Sequence, residues 1–256
     1  MKKKVLPSAG PFYFNGSKVG ILLFHGFGGG TCADLRYIAE NIYNRQGYTL
    51  HLPLLPGFGT NPKDLKQIKL DDWLESIETS FDNIRQKCEI VIVGGHSIGG
   101  VIPFVLAKTH RIDGIFSISA PIGIKGIGPI IAPFLGLFMK YHNIGSEQFR
   151  RDTDGKWVGY NKIPINILGK IKKLIALMRE NLLTISCPVL LFQGRKDDQI
   201  KKRSMDNIYQ SIQSADKRKI WLENNGHPIL DSPDQNIIIN ELINFIEVIK
   251  NKEGIE

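Results

Sequence analysis

Cysteine is scarce in this chain of 256 residues. Cys32, Cys88 and Cys187 are an odd set with wide gaps. That excludes a readable disulfide framework or zinc-ligand pattern, and it makes a reducing cytoplasm the expected setting. Long apolar runs are also missing. The most apolar stretch, Ile127 to Met139, is interrupted by Pro129, Pro133 and Gly136 and is too short to span a bilayer. No stable membrane insertion is expected. The opening Met1-Lys2-Lys3-Lys4 has the charge of an export signal, but no apolar segment of the required length follows it. Acidic residues are outnumbered, 25 against 33 lysines and arginines, giving a net charge of +8. The lysines are scattered, and no basic run is interleaved with aromatics, so the bias reads as a basic surface and not as a nucleic-acid site.

What is present is an alternation of short apolar runs with longer stretches of helical spacing, the pattern of βαβ units and a mostly parallel sheet. Strands are expected at 19–24, 48–52, 90–93, 114–119, 188–193 and 219–222. Helices are expected at 34–46, 71–86, after the glycines near 95 through about Lys108, and at 234–249. In the first of these helices Leu35, Ile38, Ala39 and Ile42 fall on one face. Between Pro121 and Ser186 the rhythm breaks. No clear strand is visible there, only glycines, prolines and a basic, apolar-striped helix at 167–179. This segment, 121–186, reads as a small helical cap inserted into an α/β core formed by 1–120 and 187–256.

The sharpest motif is Gly95-His96-Ser97-Ile98-Gly99, set between the strand at 90–93 and a helix. A serine on such a tight strand-to-helix turn projects its hydroxyl above the sheet, and the flanking glycines leave room for the turn. Serine needs an adjacent base. Of the six histidines, His227 follows the last strand in the polar loop Asn224-Asn225-Gly226-His227, where a base could reach back to the nucleophile. His25 and His96 lie beside glycines near the site and read as structural. The acid that would fix the histidine tautomer follows the strand at 188–193, in Gly194-Arg195-Lys196-Asp197-Asp198. Asp197 is preferred and Asp198 is the competitor. The order Ser97, Asp197, His227 is the one expected of an α/β-hydrolase fold. For the oxyanion hole, the backbone N–H groups of Ile98 and of Phe27, in His25-Gly26-Phe27-Gly28-Gly29-Gly30, are the candidate donors. That glycine run lacks the following Gly-Lys-Ser/Thr of a phosphate cradle.

With these residues in view, the chain resembles the small bacterial carboxylesterases and the related monoacylglycerol lipases. The resemblance is carried by His25-Gly26-Phe27-Gly28-Gly29, Pro56-Gly57-Phe58-Gly59, Leu70-Asp71-Asp72-Trp73, Gly95-His96-Ser97-Ile98-Gly99, Gly194-Arg195-Lys196-Asp197 and Gly226-His227. It implies an α/β-hydrolase fold with a small cap and a cofactor-free hydrolase without a metal. The implied substrates are small carboxylic esters of short- to medium-chain acyl groups. Two departures stand out: Phe58 occupies a position where many relatives carry histidine, and Pro228 follows His227. Within the cap, Ile130, Phe134, Leu137, Phe138 and Met139 are candidates for an acyl pocket or for the cap's own core. A monoacylglycerol lipase would share every catalytic residue, and a thioesterase or acyltransferase could use the same three side chains. A non-catalytic binding protein on this fold would not need them complete. Dehalogenases and epoxide hydrolases place an aspartate where Ser97 stands.

Overall fold

The computed structural model describes residues 4–28, 30–123, 140–144, 156–230 and 232–254. The strands are β1 (Phe12–Phe14), β2 (Val19–Phe24), β3 (Thr49–Leu52), β4 (Ile90–His96), β5 (Gly114–Ile118), β6 (Tyr141–Asn143), β7 (Lys162–Pro164), β8 (Val189–Gly194) and β9 (Lys217–Leu222). The helices are α1 (Ala33–Gln46), α2 (Pro62–Gln67), α3 (Leu70–Arg85), α4 (Ile102–Leu106), α5 (Ile167–Asn181), α6 (Ser204–Ser211) and α7 (Gln235–Glu253).

Seven strands form one sheet in the order β1-β3-β2-β4-β5-β8-β9. All neighbours are parallel except β1, which runs antiparallel along β3. Alternation in the strands explains why the sheet is covered on both sides. Leu22, Phe24, Val91, Val93, Ile115, Val189 and Leu191 face one cluster with α3, α4, α5 and α6. Ile21, Leu23, Ile90, Ile92, Phe116, Leu190 and Phe192 face a second cluster with α1 and α7. Strands buried on both faces lose the polar half of the alternation and become the short Val/Ile/Leu runs seen in the sequence.

The expected strands and long helices all occur, most with ends shifted by one to four residues. The helix expected after Ser97 is instead a 3-10 turn, Ser97–Gly100, followed by the short α4. Pro103, in the first turn of α4, has no N–H to donate and sits where none is needed. The segment 121–186 holds two strands that its sequence did not announce, β6 and β7, paired antiparallel from Tyr141↔Pro164 to Asn143↔Lys162. At three residues each they are too short to show a period. Among the described residues no helix is long and apolar enough to cross a membrane.

The chain leaves β2 for β3 on one side, then returns to β4 and builds outward through β5, β8 and β9 on the other. The crevice at the carboxyl ends of β2 and β4 is therefore the switch point where ligands settle in open α/β sheets.

Candidate active site

Ser97 follows directly on β4 and takes φ 55°, a left-handed conformation that a non-glycine residue adopts only when its surroundings impose it. The surroundings here are backbone. A Cβ on Gly99 would lie 2.0 Å from the Phe24 carbonyl oxygen, and one on Gly95 2.4 Å from the same atom. The turn is pressed against the end of β2, and only glycine fits on either side of Ser97.

His227 lies in the loop between β9 and α7, and its Nε2 is 2.9 Å from Ser97 Oγ. Its Nδ1 is 2.8 Å from Asp197 Oδ2. Asp197, just beyond β8, is 2% exposed, and its Oδ1 accepts the backbone N–H groups of Gln199 and Ile200 at 3.0 and 3.3 Å. Burial by itself would raise this carboxyl. The hydrogen bond and charge of His227, with the two backbone donors, outweigh it and hold Asp197 below the ordinary carboxylate range. An ionised Asp197 accepts the Nδ1 proton, which leaves Nε2 free to accept from the serine hydroxyl. Asp198 takes no part in this chain of bonds to His227.

The loop after β2 is fixed by His25. Its Nε2 accepts the N–H of Leu55 at 3.3 Å, so the proton sits on Nδ1, which donates to the Gly26 carbonyl at 2.8 Å. Burial lowers His25 to about 4 and keeps it neutral at physiological pH. Phe27 is buried in an aromatic cluster with Phe58 and Trp73, ring centroids 5.1 and 4.7 Å away, and Phe58 meets His25 edge-on at 4.9 Å. Phe58 therefore supports the Phe27 loop by packing. Ile98 is the second residue of the 3-10 turn, so its N–H is among those without an intrahelical partner. His96 packs beside His227, ring centroids 5.1 Å apart. It donates from Nε2 to the His227 carbonyl at 2.8 Å and ties the Ser97 turn to the His227 loop. Pro228 restricts His227 to extended backbone and lines the same cavity.

These groups meet in a cavity of about 360 Å³, within the usual range for small-molecule sites. Gly26, Gly28, Gly30, Asp34, His96, Ser97, Gln199 and His227 supply its polar wall, and Ile144, Trp157, Pro228, Ile229 and Leu230 its apolar wall. Sequence reasoning missed Asp34, Gln199, Ile144 and Trp157. Asp34 reads as an ordinary acidic residue in a helix's first turn, and the others stand in stretches without periodicity. The nominated acyl-pocket residues Ile130, Phe134, Leu137, Phe138 and Met139 lie outside the described residues.

The fold and the Ser97–His227–Asp197 arrangement together define an α/β hydrolase of the serine type. Residues 17–234 match the family described as Serine aminopeptidase, S33, and the chain belongs to that family. It is 34% identical over 242 residues to the thermostable monoacylglycerol lipase of Bacillus sp. (strain H-257), covering 94% of this chain and 95% of the relative. It is 30% identical over 241 residues to a carboxylesterase of Bacillus subtilis (strain 168), covering 93% and 96%. A solved structure from work on the metagenome-derived lipolytic enzymes LipS and LipT superposes with TM-score 0.87 at 29% identity, covering 95% of this chain and 99% of that one.

Proposed function

We propose that this protein is a carboxylic-ester hydrolase that works through an acyl-enzyme on Ser97, with His227 as base and Asp197 as its orienting acid. The observation that carries the reading is the unbroken chain Asp197 Oδ2, His227 Nδ1, His227 Nε2, Ser97 Oγ, with spacings of 2.8 and 2.9 Å, opening into a cavity.

As the Ser97 oxygen attacks the ester carbonyl, its proton passes to His227 Nε2, and the ionised Asp197 stabilises the imidazolium. The backbone N–H groups of Phe27 and Ile98 hold the developing oxyanion. His227 returns the proton to the departing alcohol. A water molecule then gives its proton to His227 and attacks the acyl carbonyl; the bond to Ser97 Oγ breaks, His227 returns the proton to that oxygen, and the acid is released. The relatives named as a carboxylesterase and a monoacylglycerol lipase support ester cleavage as the chemistry. The apolar wall formed by Trp157, Ile144 and Ile229 supports a short- to medium-chain acyl group.

The segment 121–186 acts as a cap over a core of 1–120 and 187–256. Its support is a set of contacts: Thr31 donates to the Val158 carbonyl at 2.8 Å, and the Tyr160 hydroxyl donates to the Gly57 carbonyl at 2.8 Å while accepting from the Thr60 N–H. The three free cysteines suit a cytoplasmic setting.

The test is hydrolysis of p-nitrophenyl esters from acetate to palmitate by the wild type and Ser97→Ala. The expected outcome is a rate optimum at short to medium chains and a fall in kcat of about 10⁴-fold or more in the variant. An undiminished rate in Ser97→Ala would remove Ser97 as nucleophile.

A further inference from the structure

Asp34 stands in the first turn of α1, and its carboxyl lines the cavity that holds Ser97. Its Oδ1 is buried and has no hydrogen-bond partner among the described residues. Oδ2 is crowded against the backbone of the loop after β2: a Cβ on Gly30 would lie 2.2 Å from it. The nearby Cys32 thiol is pushed far above its ordinary range, by burial first and then by the Asp34 charge, so it stays neutral. Burial also pushes Asp34 itself up to about 7. A buried carboxyl oxygen without a donor costs free energy in the empty protein. Nothing in the Ser97–His227–Asp197 chain uses it.

The two walls of the cavity divide the work. An apolar acyl chain belongs against Ile144, Trp157, Ile229 and Leu230 and would be penalised beside an unpaired carboxyl. The group that Asp34 can receive is one that brings an O–H. In an ester of a simple fatty acid, that group is on the alcohol half. We propose that Asp34 is a specificity-determining residue that accepts a hydrogen bond from a free hydroxyl on the alcohol half of the bound ester, selecting esters of polyols over esters of plain alkanols. The inference rests on the ester-hydrolase reading above and adds to it a residue and the half of the substrate it reads.

The experiment compares kcat/KM for 1-monooctanoylglycerol, ethyl octanoate and ethyl 3-hydroxyoctanoate in the wild type, Asp34→Leu and Asp34→Asn. p-Nitrophenyl octanoate serves as control. Asp34→Leu is expected to lower the glycerol-ester value about 10- to 100-fold relative to ethyl octanoate. Asp34→Asn keeps a carbonyl acceptor and is expected to recover part of the preference. An equal fall on every ester in Asp34→Leu, or an unchanged ratio, overturns the proposal. An effect confined to the hydroxyacyl ester overturns the assignment to the alcohol half. If the control ester is cleaved in a Ser97-dependent way while the ratio does not move, only the Asp34 inference fails. If the folded wild type cleaves no ester, the underlying reading fails with it.

Discussion

At the scale of single residues, Asp34 has a consequence for stability that is separate from substrate choice. Its carboxyl is raised from 3.8 to about 7 by burial, so the native state binds this proton more tightly than the unfolded chain. The linked stabilisation is whole below about pH 4, shrinks as pH rises through 7, and is gone above it. Asparagine cannot ionise, so Asp34→Asn should raise Tm more at pH 8 than at pH 5, by about 2–4 °C for each kcal/mol relieved. Calorimetry at the two pH values checks this, and an equal shift at both would show that the charge of Asp34 is not strained. Ser97, Asp197 and His227, the proposed catalytic groups, could be nominated from the sequence because each stands in the turn or loop that follows a strand. Asp34 was not legible, because an acid in a helix's first turn has an ordinary reason to be there. Only the fold shows that this turn faces the cavity.

Secondary-structure elements were readable wherever burial left a continuous apolar run or an apolar stripe in them. β2, β4, β5 and β8 are buried along their whole length, and α1 and α3 each carry an apolar stripe. β1, β6, β7 and the six-residue α2 are too short for any periodicity to accumulate. The turn between β4 and α4 was readable for another reason: its glycines answer to contact with neighbouring backbone. Gly99 is the severe case, since an added methyl would overlap the Phe24 carbonyl and lie 2.6 Å from that of His25. Both acceptors belong to the strand and loop that carry Phe27, so relief requires moving the Ser97 turn, with Ile98, away from the Phe27 N–H. Gly99→Ala should therefore lower kcat by about 10²-fold or more, as displacements of about 1 Å do, and should also reduce Tm. Full activity in this variant would mean that the turn is soft.

For the molecule as a whole, the site is assembled from the ends of β2, β4, β8 and β9, with residues up to 131 positions apart in hydrogen-bond contact. The fold must therefore hold these four strand ends in register. α7 lies against the face opposite α3, α4, α5 and α6, and its Ile238, Leu242, Phe245 and Ile246 close the second apolar cluster. The loop that carries His227 is secured just before this helix by its own bonds: Asn224 N–H to Asp234, Asn225 Nδ2 to the Pro228 carbonyl, and Gln235 Nε2 to the Ile229 carbonyl. Stability and site geometry thus depend on different groups at this end of the sheet. Leu242 is completely buried, and Leu242→Ala should cost about 2–5 kcal/mol through lost burial and the cavity left behind. Tm would fall by about 2–4 °C for each kcal/mol. Because the loop's bonds do not pass through Leu242, kcat on p-nitrophenyl esters at 25 °C should stay within about twofold of the wild type. Calorimetry and steady-state kinetics on the same preparation separate the two effects. A loss of kcat in parallel with stability would mean that the packing of α7, and not the loop's own bonds, sets the position of His227.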